Sequence, residues 1–390
     1  MKTLDTVLAR HRVMICAGSG GVGKTSTAAA LALYGARQGL RTIVLTIDPA
    51  RRLADALGLH AVGNEMRGVP RQLPIEGDGT LTAMMLDQKG AWDALVERHA
   101  PSPEARDRIL TNRFYQHLSQ TFAGSQEYMA VEQLCEIHDS GQYDLIVVDT
   151  PPTQHALDFL EAPQRIADFL DKSVVKWFVK PYFSAGWATL RFMNRTVGVL
   201  FRKIEEATGV AALAEVSDFF TSMGGLFENF EARVRRVYEL LRARTTAFVL
   251  VVSPEEQVLR EAEYFCRAVG ELRMPLRAVV FNRVHHEFSG RGRMLDRDRL
   301  VALLARAGAQ TSGEALADNF LRFEAVARGD MVRMEVFRAQ LSKHVAIAEV
   351  PNFDADLHDM AGLARMHPYL FESAASRSRT SERAGPTFGA

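Results

Sequence analysis

Residues 13–26 read Val-Met-Ile-Cys-Ala-Gly-Ser-Gly-Gly-Val-Gly-Lys-Thr-Ser, which is an apolar run followed by a glycine-rich run. The spacing from Gly18 matches G-x-x-x-x-G-K-[ST], and an alanine-rich helical pattern follows at 27–38. A loop of this kind between a strand and a helix surrounds phosphate oxygens with backbone N–H groups at the positive end of the helix. The sequence therefore predicts a phosphate-binding P-loop, with nucleotide contacts at Gly20, Gly21, Val22, Gly23, Lys24, Thr25 and Ser26.

Two side chains of this loop carry the expected chemistry. Lys24 would neutralise the β and γ phosphates of ATP, so it is a candidate for both binding and catalysis, and the Thr25 hydroxyl would ligate Mg²⁺. Three glycines of the run also satisfy the dinucleotide fingerprint G-x-G-x-x-G, with Asp48 as the acid that would bind the ribose. That fingerprint does not need a lysine and a threonine directly after its third glycine, so the P-loop is the favoured interpretation.

Seven short apolar runs predict the strands of a buried sheet, because few of them alternate polar with apolar residues. They are 13–17, 42–47, 81–86, 145–149, 247–252, 278–281 and 345–350. Helical patterns separate them, which indicates an α/β fold with a doubly wound, mostly parallel sheet. The stretches 90–140 and 156–244 contain no clear strand and are expected to form a helical lobe on this sheet. We expect a single domain over 1–371 and a disordered tail at 372–390, which is rich in Ser, Arg and Gly.

An aspartate occurs at the carboxyl end of each of two predicted strands. Asp149 follows four apolar residues and is the natural Walker B acid, which would hold Mg²⁺ directly or through water. Asp48 is the candidate for orienting the attacking water, because the carboxyl ends of parallel strands meet at the edge where ligands bind. The alternative is that Asp48 only begins a turn with Pro49.

The combination of motifs resembles the ArsA family, which includes the arsenite-pump ATPase and the ATPase that guides tail-anchored membrane proteins. The matching motifs are G-G-V-G-K-T at 20–25, D-P-A-x-x-L-x-D-A-x-G at 48–58 and D-T-x-P-T-x-H-A-L-x-F-L at 149–160. The resemblance extends over about 13–371. It implies a P-loop NTPase fold of the deviant Walker A type, and a dimer with ATP and Mg²⁺ near the subunit interface. In the targeting members, closure on ATP reshapes a helical lobe that holds the client.

Some further features of the family carry over residue by residue, and others do not. Asn282, just after the predicted strand 278–281, resembles the asparagine that reads adenine, and Pro351 and Phe353 resemble the loop that covers the base. The family normally has a lysine directly after the first glycine of the loop, contacting phosphate across the dimer. Here that position is Ser19, so the chain is most similar to bacterial ArsA-like members that lack this lysine.

The composition limits which partners and which cellular compartment we expect for this protein. Basic and acidic residues balance at 47 each, so no global field favours nucleic acid, and none is expected as a partner. The three cysteines form no C-x-x-C pair, which argues against a zinc clasp and against a metalloid site. We see neither a signal peptide nor a membrane span, so we expect a cytoplasmic protein, either free or peripheral at the inner face of the membrane.

The segment 172–203 suggests what the protein handles. It contains seven basic residues, no acidic residue and two of the three tryptophans, Trp177 and Trp187. Such a segment suits an apolar client helix or peripheral contact with an anionic membrane, or else its rings pack a core of their own. We expect a homodimer, or a heterodimer with a paralogue, that acts on a hydrophobic or membrane-protein client. The alternatives are an ATPase subunit that drives an oxyanion pump and a positioning switch similar to ParA and MinD.

Overall fold

The computed structural model describes residues 3–47, 52–59, 67–69, 78–121, 125–152, 160–161, 219, 230–289, 296–308, 312–355, 357 and 359–372. Asp48, the segment 172–203 and residues 373–390 of the expected tail lie outside the described residues. The helical interpretation of 156–244 is covered only at 160–161, 219 and 230–244.

The described strands form one sheet. They are β1 Val13–Ala17, β2 Arg41–Thr46, β3 Arg67–Gly68, β4 Thr80–Met85, β5 Leu145–Asp149, β6 Thr246–Val252, β7 Leu276–Val284 and β8 Ala346–Pro351. Their order across the sheet is β3-β4-β2-β5-β1-β6-β7-β8. Neighbouring strands are parallel except β3 and β4, which are antiparallel. The carboxyl ends of the parallel strands therefore share one edge of the sheet.

Helices cover both faces of this sheet. They are α1 Leu4–Leu8, α2 Lys24–Arg37, α3 Arg52–Ala56, α4 Gln88–His99, α5 Pro103–Thr111, α6 Arg113–Thr121, α7 Ser125–Asp139, α8 Phe230–Arg242, α9 Glu256–Glu271, α10 Arg297–Arg306, α11 Gly313–Gln340, α12 Met360–Arg365 and α13 His367–Phe371. Between β4 and β5 the described residues are helical, as the sequence of 90–140 predicts.

The two faces of the sheet pack into two separate cores. Successive residues of a strand point to opposite faces, so β1 contributes Val13 and Ile15 to one core and Met14 and Cys16 to the other. The first core is closed by α4, α7, α8, α9 and α11, and the second mainly by α2, α12 and α13. All residues of β1 and β5 are buried, which explains why these strands read as unbroken apolar runs.

The prediction of a doubly wound, mostly parallel α/β sheet is confirmed. Each of the seven predicted runs is a strand, and β1 and β5 have the predicted bounds. The predicted end at 281 is wrong, because β7 continues to Val284 over an irregularity in its pairing with β8. Asn282 therefore lies inside β7 rather than just after it. The two-residue antiparallel strand β3 was not predicted, since two residues carry no periodicity.

The C-terminal helices pack against the helix that follows the glycine-rich loop. Tyr34 of α2 stacks on Phe371, with ring centroids 3.6 Å apart. His367 lies edge-on to Tyr34, and its Nε2–H donates to Ala30 O at 3.0 Å. Burial, with a smaller contribution from the Arg37 charge, lowers the pKa of His367 to about 4. The neutral imidazole is therefore part of the packing that fixes α2.

This buried histidine predicts a loss of stability in acid. An unfolded histidine takes up a proton near pH 6.5, whereas the folded one does so near pH 4. Stability from His367 is thus fully present above the unfolded pKa and decreases as the pH falls from about 6.5 to about 4. Between pH 7 and pH 5 the free energy of unfolding should fall by about 2 kcal/mol from this group.

Urea titrations of wild type and His367→Gln at the two pH values measure the effect. The glutamine can still donate to Ala30 O, yet it does not titrate in this range. Between pH 7 and pH 5, the variant should lose about 2 kcal/mol less stability than the wild type. Equal pH dependence in both proteins would show that His367 is not protonated on unfolding.

Candidate functional site

The glycine-rich loop between β1 and α2 requires glycine at two of its positions. A Cβ on Gly18 would lie 2.1 Å from the carbonyl oxygen of Val251 in β6, so the loop can pass the neighbouring strand only without a side chain. Gly23 caps α2 with φ of +91°, and a Cβ there would lie 2.2 Å from Nδ2 of Asn282. The loop is therefore held tightly between β6 and β7, with its backbone turned toward the start of α2.

The predicted phosphate-contacting residues lie around one open cavity. Its volume is about 310 Å³, and the described lining residues are Gly20, Gly21, Gly23, Lys24, Thr25, Ser26, Asp55, Ala56, Thr150, Pro152, Arg283 and Leu357. Lys24 is only 8% exposed, and its Nζ donates to the carbonyl oxygen of Ser19 at 2.8 Å across the loop. Val22 differs from the others because its side chain is buried in the second core, so it can contribute only its backbone.

Asp149, at the end of β5, is held by two hydroxyl groups. Thr25 Oγ1 donates to its Oδ2 at 2.7 Å, and Thr46 Oγ1 donates to the same oxygen at 3.0 Å. The carboxyl group is 1% exposed and lies beside the start of α2. Thr25 and Asp149 together offer the hard oxygen ligands that Mg²⁺ prefers, so the residues present fit this ion. Burial, together with the Asp149 charge, raises the pKa of the neighbouring Cys16 thiol.

Removal of the Thr25 hydroxyl should weaken the metal site. In Thr25→Val the side chain keeps its shape but loses the predicted metal ligand and the hydroxyl that donates to Asp149. The Mg²⁺ concentration needed for half-maximal ATP hydrolysis should rise by about tenfold or more. Thr25→Ser keeps the hydroxyl and serves as the matched control, with a near-normal Mg²⁺ requirement. A normal requirement in the valine variant would exclude Thr25 as a ligand.

A second cavity opens beside the first. Its volume is about 240 Å³, and the described lining residues are Gly23, Ser26, Asn282, Arg283, Pro351, Asn352, Phe353, Ala355, Leu357 and Met366. Gly23, Ser26, Arg283 and Leu357 line both cavities, so the two form one continuous cleft. Asn282 Nδ2 donates to Val22 O at 2.8 Å, which ties β7 to the loop. The sequence thus predicted residues of both halves of the cleft, and the structure brings them together.

Sequence reasoning missed a group of polar residues behind the second cavity. Asp330 of α11 is buried and accepts from His285 Nδ1 at 2.8 Å and from Arg333 at 2.7 Å. Because His285 Nδ1 donates to Asp330, its Nε2 is the acceptor, and Asn352 Nδ2 donates to it at 3.2 Å. This chain of hydrogen bonds connects α11 to the loop that contains Phe353. The only hint in the sequence was that Asn352 lies between Pro351 and Phe353.

Two further contacts concern residues that the sequence singled out. Ser19 is buried, and its Oγ donates to Glu261 Oε2 of α9 at 2.6 Å, so it is directed toward the protein's own α9. Ile47 N donates to Asp149 O at 3.1 Å, and Gln126 donates to Ile47 O at 2.6 Å. The backbone that leads to Asp48 is therefore anchored beside Asp149. Asp48 itself lies outside the described residues, so its role remains a prediction.

A metal site of another type is not found in the part of the chain that the structure describes. No group of three or more His, Cys, Asp or Glu residues there is placed to hold a metal ion. The cysteines lie in three different elements, β1, α7 and α9. Among the described helices, none has the length and apolar character needed to cross a membrane.

Comparison with known proteins agrees with the geometry of the cleft. The model of the ArsA ATPase family, described as anion-transporting ATPase, matches residues 11–299. The chain belongs to this family. Similar proteins include ATPase GET3 of Malassezia globosa, which is 27% identical over 285 residues, 72% of this chain and 76% of the relative. ATPase ASNA1 homolog 1 of Paramecium tetraurelia is 27% identical over 286 residues, 72% of this chain and 78% of the relative.

A third relative shows the breadth of the ArsA family. It is a protein of Aquifex aeolicus provisionally named arsenical pump-driving ATPase 1, 26% identical over 258 residues, 65% of this chain and 58% of the relative. The resemblance to the ArsA family inferred from the motifs is thus confirmed, and so is the prediction of an ATPase. The roles of individual residues remain predictions of the geometry.

Proposed function

We propose that this ArsA-family ATPase binds and hydrolyses Mg·ATP as a dimer, and that its nucleotide cycle gates a helical lobe that handles a hydrophobic or membrane-destined client. The observation that supports the nucleotide chemistry best is that Lys24 and Thr25 line one cleft and that Thr25 donates there to Asp149. The residues expected to contact the base line the other half of the same cleft.

The expected division of labour follows from the type and position of each side chain. Lys24 exchanges its contact with the Ser19 carbonyl for phosphate oxygens, and backbone N–H groups of the loop bind the same phosphates. Thr25 and Asp149 would hold Mg²⁺, which supplies positive charge against the negative charge of the phosphates. Asp48 would orient the attacking water. Asn282 would bind the adenine edge, since an amide both donates and accepts hydrogen bonds, while Pro351 and Phe353 would cover the ring.

The dimer rests on the family resemblance, and Ser19 bears on how its subunits would meet. A lysine at this position would reach across to the partner's phosphates, whereas Ser19 is occupied by Glu261 of its own chain. We therefore expect dimer closure without a contact from this position. Light scattering in ATP with Mg²⁺ and in ADP should show a dimer in at least the first state, and a monomer in both states would refute the dimer.

The client is inferred from the sequence of 172–203 together with the targeting branch of the family. Rings and basic side chains interleave there without any acidic residue, which suits an apolar helix bordered by negative charge. The oxyanion-pump alternative is less well supported. Cys16, Cys135 and Cys266 lie in three different elements, and no cluster of metal-ligating residues is found in the described part of the chain. Arsenite is accordingly expected to leave the ATPase rate unchanged.

A triple substitution separates a client surface from a core. In Trp177/Phe178/Trp187→Ser, binding of a peptide with one apolar helix of about 20 residues should be lost while ATP hydrolysis is retained. Lys172/Lys176/Lys180→Ser is the companion variant. It should reduce binding to anionic liposomes by weakening electrostatic attraction, at about 1 kcal/mol per charge, and spare the peptide.

The triple substitution has a different expected result if Trp177, Phe178 and Trp187 are packed in a core. If the three rings belong to a core, their replacement costs several kcal/mol each and the melting temperature collapses together with ATPase activity. Normal melting, normal ATPase and normal peptide binding in the triple variant would remove 172–203 from the proposal.

A further inference from the structure

Arg283 has an unfavourable backbone conformation that ordinary strand structure does not require. Its φ is +59°, in the left-handed region that residues with a Cβ rarely adopt. It lies in β7 where pairing with β8 shifts register between Phe281 and Val284, which marks a β-bulge. Bulges redirect side chains and are frequent next to active sites.

The other left-handed arginine of the described residues has an ordinary explanation. Arg273, with φ of +56°, follows the last turn of α9, and its N–H donates to Gly270 O. Left-handed residues commonly end helices in this way. No helix ends at Arg283, so its conformation requires another reason. Strained backbone that a fold retains is concentrated at ligand sites.

The position of Arg283 in the cleft supplies that reason. Arg283 lines both the cavity around Lys24 and the cavity around Asn282. Among the described residues Arg283 is the one charged residue that lines both cavities, and none of the ion pairs found there includes its guanidinium. A guanidinium matches phosphate geometry with two parallel N–H donors. Position 19 is not a lysine, so among the described lining residues of the cleft Lys24 and this arginine are the two cations.

We propose that Arg283 is a nucleotide-binding residue whose guanidinium binds phosphate at the junction of the two cavities, on the side nearer the base. This inference rests on the proposed binding of ATP. Lys24 binds the β and γ phosphates, whereas Arg283 binds the phosphate nearer the ribose, which is present in both ATP and ADP. The β-bulge at Arg283, next to Asn282, supplies the redirection of the side chain that this contact requires.

Binding of ATP, ADP and adenosine by the full-length protein tests the assignment. In Arg283→Gln the affinities for ATP and ADP should fall by similar factors, about 10-fold to 100-fold, as expected for the loss of a charge-assisted hydrogen bond. The affinity for adenosine should not change. Arg283→Lys should recover part of the loss, because it restores the charge without the paired donors. Arg273→Gln is the matched control and should bind all three ligands like wild type.

A second readout does not depend on nucleotide. Arg283→Gly relieves the left-handed conformation, so the nucleotide-free variant should melt above the wild type, while its ADP affinity falls as in the glutamine variant. If the strained backbone at Arg283 is retained for nucleotide binding, the glycine variant should gain stability and lose affinity for ADP. A lower melting temperature would indicate that Arg283 stabilises the fold, and would overturn the proposal.

The remaining outcomes also discriminate. If wild type binds none of the nucleotides, the proposed function fails as well. If wild type binds them and Arg283→Gln binds ATP and ADP equally well, only the assignment of Arg283 fails. Equal losses of affinity for ATP, ADP and adenosine would show that Arg283 maintains the shape of the base pocket, and would exclude a phosphate contact.

Discussion

Lys24→Ala is expected to abolish measurable ATP hydrolysis and to weaken Mg·ATP binding. The Lys24 side chain is 8% exposed and sits at the first residue of α2, so its charge acts in a poorly solvated place beside the phosphate cavity. Groups that stabilise developing charge in such places are worth about 10²–10³ in rate when removed singly. Binding should fall too, because the same ammonium is proposed to neutralise the β and γ phosphates of the bound nucleotide.

The fold should survive this substitution. The ammonium donates to the Ser19 carbonyl oxygen at 2.8 Å, and a loop carbonyl beside an open cavity can bind water instead. Lys343→Ala is the matched control, since Lys343 is exposed and precedes β8 at the opposite edge of the sheet. Steady-state ATPase, nucleotide affinity and melting temperature are measured for both variants. Unchanged turnover in Lys24→Ala would show that the P-loop is not part of the catalytic site.

The central strands were predictable because burial on both faces leaves a simple signature. β1 and β5 consist entirely of buried residues, so their sequences are unbroken apolar runs with clear ends. The loop after β1 was predictable for a related reason, since Gly18 and Gly23 are fixed by close approach of other strands.

The base side of the cleft depended on contacts that no local pattern reveals. The bulge at Arg283 moved the end of β7 past Asn282. The hydrogen bonds from His285 to Asp330 and to Asn352 join residues 45 and 67 positions apart in the sequence. Each residue alone resembles an ordinary surface polar group, and only tertiary packing gives it a partner. The same holds for Ser19, whose partner Glu261 is 242 positions away.

Asp48→Asn is expected to retain Mg·ATP binding and to slow hydrolysis by about a hundredfold or more, as is typical when a group that positions or deprotonates water is lost. The amide has nearly the shape of the carboxylate, so the turn with Pro49 should persist. Lys24, Thr25 and Asp149 remain in place, and they are the residues proposed to bind Mg·ATP. The substitution should therefore separate binding from chemistry, which Lys24→Ala cannot do.

Single-turnover hydrolysis of prebound Mg·ATP isolates the chemical step from nucleotide binding and product release. Asp78→Asn is the control, because Asp78 is exposed and precedes β4 at the edge of the sheet opposite the cleft. A normal single-turnover rate in Asp48→Asn would return Asp48 to the role of a turn former. Loss of binding together with rate would instead make it part of the nucleotide site. The anchoring of Ile47 to Asp149 and Gln126 favours slower hydrolysis with retained binding. A carboxylate that positions water needs a backbone that is fixed beside the acid proposed to bind the metal.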